Sequence, residues 1–410
     1  MAPTFYDPQS PNEEPVPLPS GPRVVIDANT VLQFPLSRRG KGPGVVLFLP
    51  SPDHLVLSTT TAERLDPEPT TKWAEEGFSV LAITASEGLV ADQCLKEGLN
   101  ALQNTSHIDF KDKFAVIVYD SKLVSAVSQA VSQEPRVVAF VGYGSFASPS
   151  CTLPILLHLT ANAPRPAHRP SEATTIHSYS TTSTAFVLPQ TAKYDPTSAA
   201  LAHSRTLVFL RKWLGGPVFD LEAIWNEHCY YEFEARSVAK TMGTMVAEPY
   251  VNHVPTVLKM TGGVGRENLT KFYRDHFIFS NPADARLETV SRTIGPDRVV
   301  DEFVYHITHD RVVDWLLPGV PPSGKKLSIP MMAVVNIRGD RLYNEHIWWD
   351  QATALRQAGI LPTHLPGPDG TMLRLPVTGV ESAHMLIDES KGTSNEMLAP
   401  EWALGSQEVK

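Results

Sequence analysis

The chain is predicted to fold as two domains: an α/β domain built on a parallel sheet, then an α+β domain with a curved antiparallel sheet. Three observations predict this. The 410 residues, 42% of them hydrophobic, exceed one ordinary core and are enough for two. Between Gly44 and Leu159, short fully apolar runs alternate with helical spacings, the pattern of strands buried on both faces of a parallel sheet. Beyond Gly215-Gly216-Pro217 the helical patterns come first and the long strands later, the order of an α+β domain.

Residues 1–22 combine Pro, Asp, Glu and Ser with few large apolar side chains, and read as an extended or disordered arm. The first domain, 23–216, has apolar strands at 45–49, 78–83, 114–119, 137–141 and 155–159. Helices are expected before Gly77, around 90–104 and 121–133, and at 199–213, the last one broken by the two glycines. The second domain, 217–362, opens with a long helix over 220–242 and a helical stretch at 265–277. Strands then follow at 286–294, 297–310, 325–338 and 340–349. The tail, 363–410, starts Pro-rich and carries a helical segment at 380–388.

A net charge of −9 without any Lys/Arg block argues against a nucleic-acid or anionic-membrane partner, because nothing displaces counterions from phosphates. No apolar run approaches the roughly 20 residues of a bilayer span, and no basic-then-apolar leader is present, so a soluble, cytoplasmic protein is expected. Cys94, Cys151 and Cys229 are odd in number and far apart, which reads as reduced core residues and not as a disulfide or zinc framework. Small-molecule chemistry is the class that remains.

In the second half, Tyr250-Val251-Asn252-His253-Val254-Pro255, Pro321-Pro322-Ser323-Gly324-Lys325-Lys326 and the run from Gly339 to Asp350 occur in that order. With Gly263-Val264-Gly265-Arg266 and Gly295-Pro296-Asp297-Arg298, they resemble the SnoaL-like (polyketide cyclase) branch of the nuclear transport factor 2-like superfamily. The resemblance implies a cone whose mouth holds an apolar ligand and whose polar groups do acid/base work, without a cofactor. It also implies a homodimer through the open face of the sheet.

By that resemblance Asp350, at the end of the last strand, is a general acid/base, although an Asp before Gln351 is also a favoured helix cap. His253 is placed to point into the cone; a hydrogen-bonded loop histidine is the other reading. Glu345 and His346 are neighbours on a strand and face opposite ways, so both stand as catalytic candidates. His228 and Glu232, four apart on one helical face beside Tyr231, line the cavity mouth or form an ordinary helical pair. Asn252, Trp315, Met332 and Trp348 complete the substrate-binding candidates, with Tyr231, Asn252 or a Trp indole offered to an enolate oxygen. A metal held by His228, Glu232, His253 and His346 is weighed, but the spacing provides two ligands only, and no metal is expected.

In the first domain, the run from Trp73 to Ala82, Ile155-Leu156-Leu157-His158-Leu159 and Tyr194-Asp195 resemble dienelactone hydrolases (carboxymethylenebutenolidases) of the α/β-hydrolase fold. That chemistry needs a nucleophile on a glycine-lined turn. The turn here reads Tyr119-Asp120-Ser121-Lys122, no carboxylate follows in 160–164, and Thr184-Ala185-Phe186 stands where a histidine motif belongs. Ser121 and Ser145 are weak substitute nucleophiles, Asp120 and His177 are offered as ligand contacts with His158 and His168 weaker still, and a degenerate scaffold is expected. The function anticipated from sequence is a cofactor-independent cyclase, isomerase or lyase acting on a small apolar carbonyl compound. A non-catalytic binding or assembly protein, or residual ester or lactone hydrolysis, are the alternatives.

Overall fold

The computed structural model describes residues 4–60, 65–144, 153–164, 174–256, 261–368, 370–399 and 402; Ser145, Cys151 and His168 lie outside the described residues. The chain divides into two units. One is Leu18–Asp220 with Arg338–Arg341; the other is Met1–Pro17, Leu221–Ile337 and Leu342–Lys410.

The first unit contains β1 (Arg23–Val25), β2 (Thr30–Gln33), β3 (Gly44–Leu49), α1 (Pro69–Glu75), β4 (Ser79–Thr84), α2 (Ala91–Gln103), β5 (Phe114–Val118), α3 (Val124–Val131), β6 (Val137–Tyr143), β7 (Ile155–Leu159), β8 (Thr174–Ser178) and α4 (Pro196–Leu214). They make one sheet in the order β1-β2-β4-β3-β5-β6-β7-β8. Every pairing from β4 to β8 is parallel, while β2 joins β4 and β1 joins β2 antiparallel. Alternate residues feed two cores: Val45, Leu47, Ala115, Ile117 and Val141 on one face, Val46, Phe48, Val116, Val118 and Phe140 on the other. Because both faces are covered, the inner strands read as continuous apolar runs in the sequence. The exposed strand β1, the short β2 beside it and the partly exposed β8 have no such run and were not anticipated.

The second unit contains α5 (Leu221–Cys229), α6 (Val238–Gly243), β9 (Met245–His253), β10 (Gly262–Val264), α7 (Gly265–Phe272), β11 (Arg286–Ile294), β12 (Arg298–Thr308), β13 (Lys326–Arg338), β14 (Arg341–Trp349), α8 (Gln351–Ala358), β15 (His364–Pro366), β16 (Met372–Arg374) and α9 (Glu381–Ile387). Six strands form a sheet ordered β10-β9-β14-β13-β12-β11, in which β14 and β9 run parallel. A single π-helical turn follows each of α5 and α7, at Tyr230–Glu234 and Tyr273–Phe277.

Two expectations are corrected. The helix expected over 220–242 breaks after its π turn, where Arg236 adopts φ 49 and donates to the carbonyls of Asn281 and Pro282. Ser237 then starts α6 by accepting from Lys240 N. Helical propensity is continuous across this stretch; the tertiary anchoring of Arg236 decides the break. Strand β9 was not anticipated either, since Glu248 and Pro249 interrupt its apolar pattern.

The N-terminal segment is held in place. The Glu13 carboxylate accepts from Val238 N (3.0 Å) and Ala239 N (2.9 Å), and the Asn12 carbonyl accepts from the Ser237 hydroxyl. Composition registers the lack of apolar burial but not the capping of α6 by a carboxylate. Among the described residues no helix is long and apolar enough to cross a membrane.

Candidate active site

The sheet of the second unit curves around a cavity, and strand register decides which side chains face it. Glu345 pairs with Val251, Ile347 with His253, Phe303 with Met331 and Leu287 with Tyr305. All eight line the cavity, together with Trp225, Cys229, Glu232 and Phe233 from α5 and its π turn, and with Tyr273, Phe277 and Trp315. The space enclosed is about 30 Å³, room for one or two water molecules. A larger ligand has to displace wall side chains.

Three polar side chains of this wall, Glu232, Glu345 and Tyr273, meet around a fourth, His228, which does not itself line the cavity. His228 Nε2 lies 3.1 Å from Glu232 Oε1, 3.2 Å from Glu345 Oε1 and 3.3 Å from the Tyr273 hydroxyl. All four are buried. The π turns matter here, since Glu232 sits within one and Tyr273 opens the other, an insertion that often marks a functional position. His228 Nδ1 lies 2.6 Å from Thr244 Oγ1, whose own hydrogen goes to the Thr241 carbonyl at 2.7 Å. Thr244 can therefore only accept, which fixes the proton on Nδ1. Glu345 Oε1 is close enough to His228 to be an ion pair, yet it receives no hydrogen bond of acceptable direction. A single Nε2–H points at one acceptor at a time, and Glu232 lies in its direction.

Burial disfavours the imidazolium, but the charges of Glu232 and Glu345 overcome it and push His228 up to about 10. Burial also raises the Glu232 carboxyl above the usual glutamate value, with His228 pulling it back. The two groups thus hold protons as one unit. Burial, then the Glu345 and Glu232 charges, raise Tyr273 well above an ordinary phenol, so it is a donor at neutral pH. Cys229 is likewise held as a thiol, chiefly by burial.

His253 lines the same cavity among Phe272, Phe277, Trp315 and Trp349. Its Nδ1 donates to the Thr261 carbonyl at 3.1 Å, and burial depresses it to about 4, so it is neutral.

Several sequence-derived candidates lie elsewhere. Asp350 is exposed and caps α8, accepting from Ala352 N (3.1 Å), Thr353 N (3.2 Å) and the Thr353 hydroxyl (2.6 Å). It does not line the cavity. His346 and Trp348 alternate with Glu345 and Ile347 and so face away; His346 stands edge-on to Tyr250, and Trp348 is exposed. Met332 faces away for the same reason, next to cavity-lining Met331. Asn252 shares that outward parity between Val251 and His253. Tyr231 is half-buried under the Lys240 ammonium, and the Trp315 indole N–H is taken by Asn281 Oδ1. None of these supplies the enolate donor sought in the sequence.

Glu345, His253, Glu232 and Trp315 are the anticipated residues that line the cavity, and His228 contacts Glu232 and Glu345 without lining it itself. Tyr273 and Thr244 were missed. The available signal for Tyr273 was a hydroxyl among the apolar positions Leu269, Phe272 and Phe277 of one helical stretch. Among the described residues, His228, Glu232 and Glu345 are the one group whose potential metal-ligand atoms lie within 4.8 Å of each other; His253 and His346 do not join it.

Comparison with known proteins identifies a SnoaL-like domain over residues 227–345, a match that contains His228, Glu232, His253, Tyr273 and Glu345 and stops short of Asp350. No curated protein matches the chain. Solved structures similar to its C-terminal part include an NTF2-like protein of unknown function from Burkholderia pseudomallei (15% identity, 34% of this chain, 98% of that one, TM-score 0.28). Another is a hypothetical protein with a ketosteroid isomerase-like fold from Catenulispora acidiphila, in complex with trimethylamine (17%, 34% and 93%, TM-score 0.26). A third is a provisionally named SnoaL-like polyketide cyclase from Jannaschia sp. (16%, 36% and 100%, TM-score 0.28).

Proposed function

We propose that the second unit is a cofactor-free proton-transfer catalyst: a cyclase, isomerase or lyase acting on a small apolar carbonyl compound of polyketide-like type. One observation carries this reading. Two buried carboxylates, an imidazole and a phenol meet at an aromatic-walled cavity inside a SnoaL-like domain. Glu345, whose Oε1 lacks a directed partner, takes the proton α to the carbonyl. Tyr273 donates to the enolate oxygen. The His228–Glu232 pair returns a proton elsewhere on the carbon skeleton, and Glu345 then passes the proton it took to His228 Nε2, 3.2 Å away, so that both groups are restored at the end of the cycle. His253 is a further polar group of the wall, and Trp315 and Phe277 hold the apolar body of the substrate.

The first unit is proposed to be a hydrolase-derived scaffold that has lost its chemistry. In support, Asp120 stands in the turn after β5 and accepts from Lys122 N. His158 is fully committed between the Tyr179 and Thr206 hydroxyls, as a core residue is. A homodimer through the open face of the second unit's sheet, where Met332 and Trp348 are exposed, completes the proposal. Light scattering on wild type and Trp348→Glu tests it, a dimer turning to monomer being the expected result.

The lost hydrolytic residues favour one other reading, a protein that binds its ligand without chemistry. Deuterium exchange separates the two. Apolar ketones shown by calorimetry to bind should exchange their α-hydrogens in D2O with wild type and not with Glu345→Gln. Binders that exchange with neither protein support carriage instead.

A further inference from the structure

We propose that His228, Glu232 and Glu345 form a binding site for one divalent first-row transition cation of the zinc or iron type. This inference shares the site of the reaction proposed above but does not rest on it. Bonds of about 2.0–2.2 Å to nitrogen and oxygen place neighbouring ligand atoms about 3.0–3.5 Å apart. His228 Nε2 is 3.1 Å from Glu232 Oε1 and 3.2 Å from Glu345 Oε1, so the imidazole is already at coordination spacing from both carboxylates, and ligand atoms of all three residues lie within 4.8 Å of one another.

Two further observations point to a cation. The Nδ1–H of His228 is held by Thr244, whose hydroxyl hydrogen is committed to Thr241. This outer-shell bond is the kind that orients a metal-bound imidazole and leaves Nε2 as the ligand atom. Glu345, 3% exposed, also has an oxygen in the cluster with no directed hydrogen bond, although a buried carboxylate oxygen needs a donor or a cation.

Among the described residues, the one nearby positive charge that faces both carboxylates is the His228 imidazolium itself, so a metal cation binds by displacing its Nε2 proton. Arg292 is engaged by Asp301 and Glu222, and Asp301 also accepts from Trp225. One imidazole with two carboxylates selects a transition cation over magnesium or calcium, which prefer all-oxygen shells. A ligand atom from the cavity takes the remaining position. A bound cation occupies Nε2 and both carboxylates, so it competes with the proposed proton transfer and inhibits it.

The test uses chelator-stripped full-length protein titrated with Zn2+ by calorimetry at neutral pH. We expect one Zn2+ per chain, with affinity falling more than about tenfold in Glu345→Gln and in His228→Gln. Wild type that shows no saturable binding at one equivalent, or Glu345→Gln that binds as tightly as wild type, overturns the proposal. X-ray absorption on zinc-loaded wild type needs no variant. One imidazole with oxygen ligands supports the site, and sulfur or several imidazoles refute it. Since neither experiment involves a substrate, failure here leaves the catalytic reading standing, and the reverse also holds.

Discussion

His228 Nδ1 donates to Thr244 Oγ1 at 2.6 Å, and Thr244 passes its own hydrogen to the carbonyl of Thr241. The hydroxyl thus fixes which nitrogen of the imidazole faces Glu232, Glu345 and Tyr273. Thr244→Val removes the acceptor and leaves a buried N–H unsatisfied, at a cost of about 1–3 kcal/mol in stability. Thr244→Ser should restore both stability and the wild-type ring nitrogen resonances of His228 in 15N NMR. A merely space-filling Thr244 would be replaced better by valine than by serine.

The carboxylates separate catalysis from architecture. Glu232→Gln and Glu345→Gln should each lower turnover by about 10²–10⁴-fold with the fold retained. Asp350→Asn should leave turnover unchanged, and Asp350→Ala should cost about 1 kcal/mol of stability, as loss of a helix cap does. Activity measured beside circular dichroism melts reads both effects.

His253 gives the second unit an acid-side weakness. Burial lowers its pKa to about 4 from the usual value near 6.5, with the hydrogen bond to the Thr261 carbonyl and the Glu345 charge opposing the shift. The unfolded chain therefore binds a proton that the folded one refuses between these values. The contribution of a neutral His253 is complete above about pH 6.5 and is lost as pH falls toward 4, by up to about 3 kcal/mol. Urea melts from pH 7 to 4 should show this decline in wild type and a flatter profile in His253→Phe.

Much of this molecule was legible in the sequence wherever one physical signal dominated. The inner strands β3 to β7 are buried on both faces and appear as apolar runs, while β11 to β14 follow the long alternating stretches foreseen near their observed bounds. The cavity was harder to read. Placing Glu345 inside and His346 outside depends on the pairing of β14 with β9, and β9 was hidden by Glu248 and Pro249. The two π turns shift the faces of their helices, so Tyr273 joins His228 in a way that 3.6-residue periodicity does not predict. Asp350 was read both as a helix cap and as a carboxylate of the cone, since the two have the same sequence, and the structure shows it as the cap of α8.

The N-terminal segment is part of the second unit's stability. Glu13 bonds two backbone N–H groups at the start of α6, the helix that leads into Thr244. Glu13→Ala should cost about 1–2 kcal/mol, seen as a lower melting temperature of the full-length chain.

The most direct test is metabolite profiling of the native host carrying wild type, a deletion, or a chromosomal Glu345→Gln allele. If the second unit is a proton-transfer enzyme, Glu345→Gln accumulates the same uncyclised or isomeric precursor as the deletion. A Glu345→Gln strain that matches wild type, beside a deletion strain that does not, would contradict a catalytic role for the buried carboxylate.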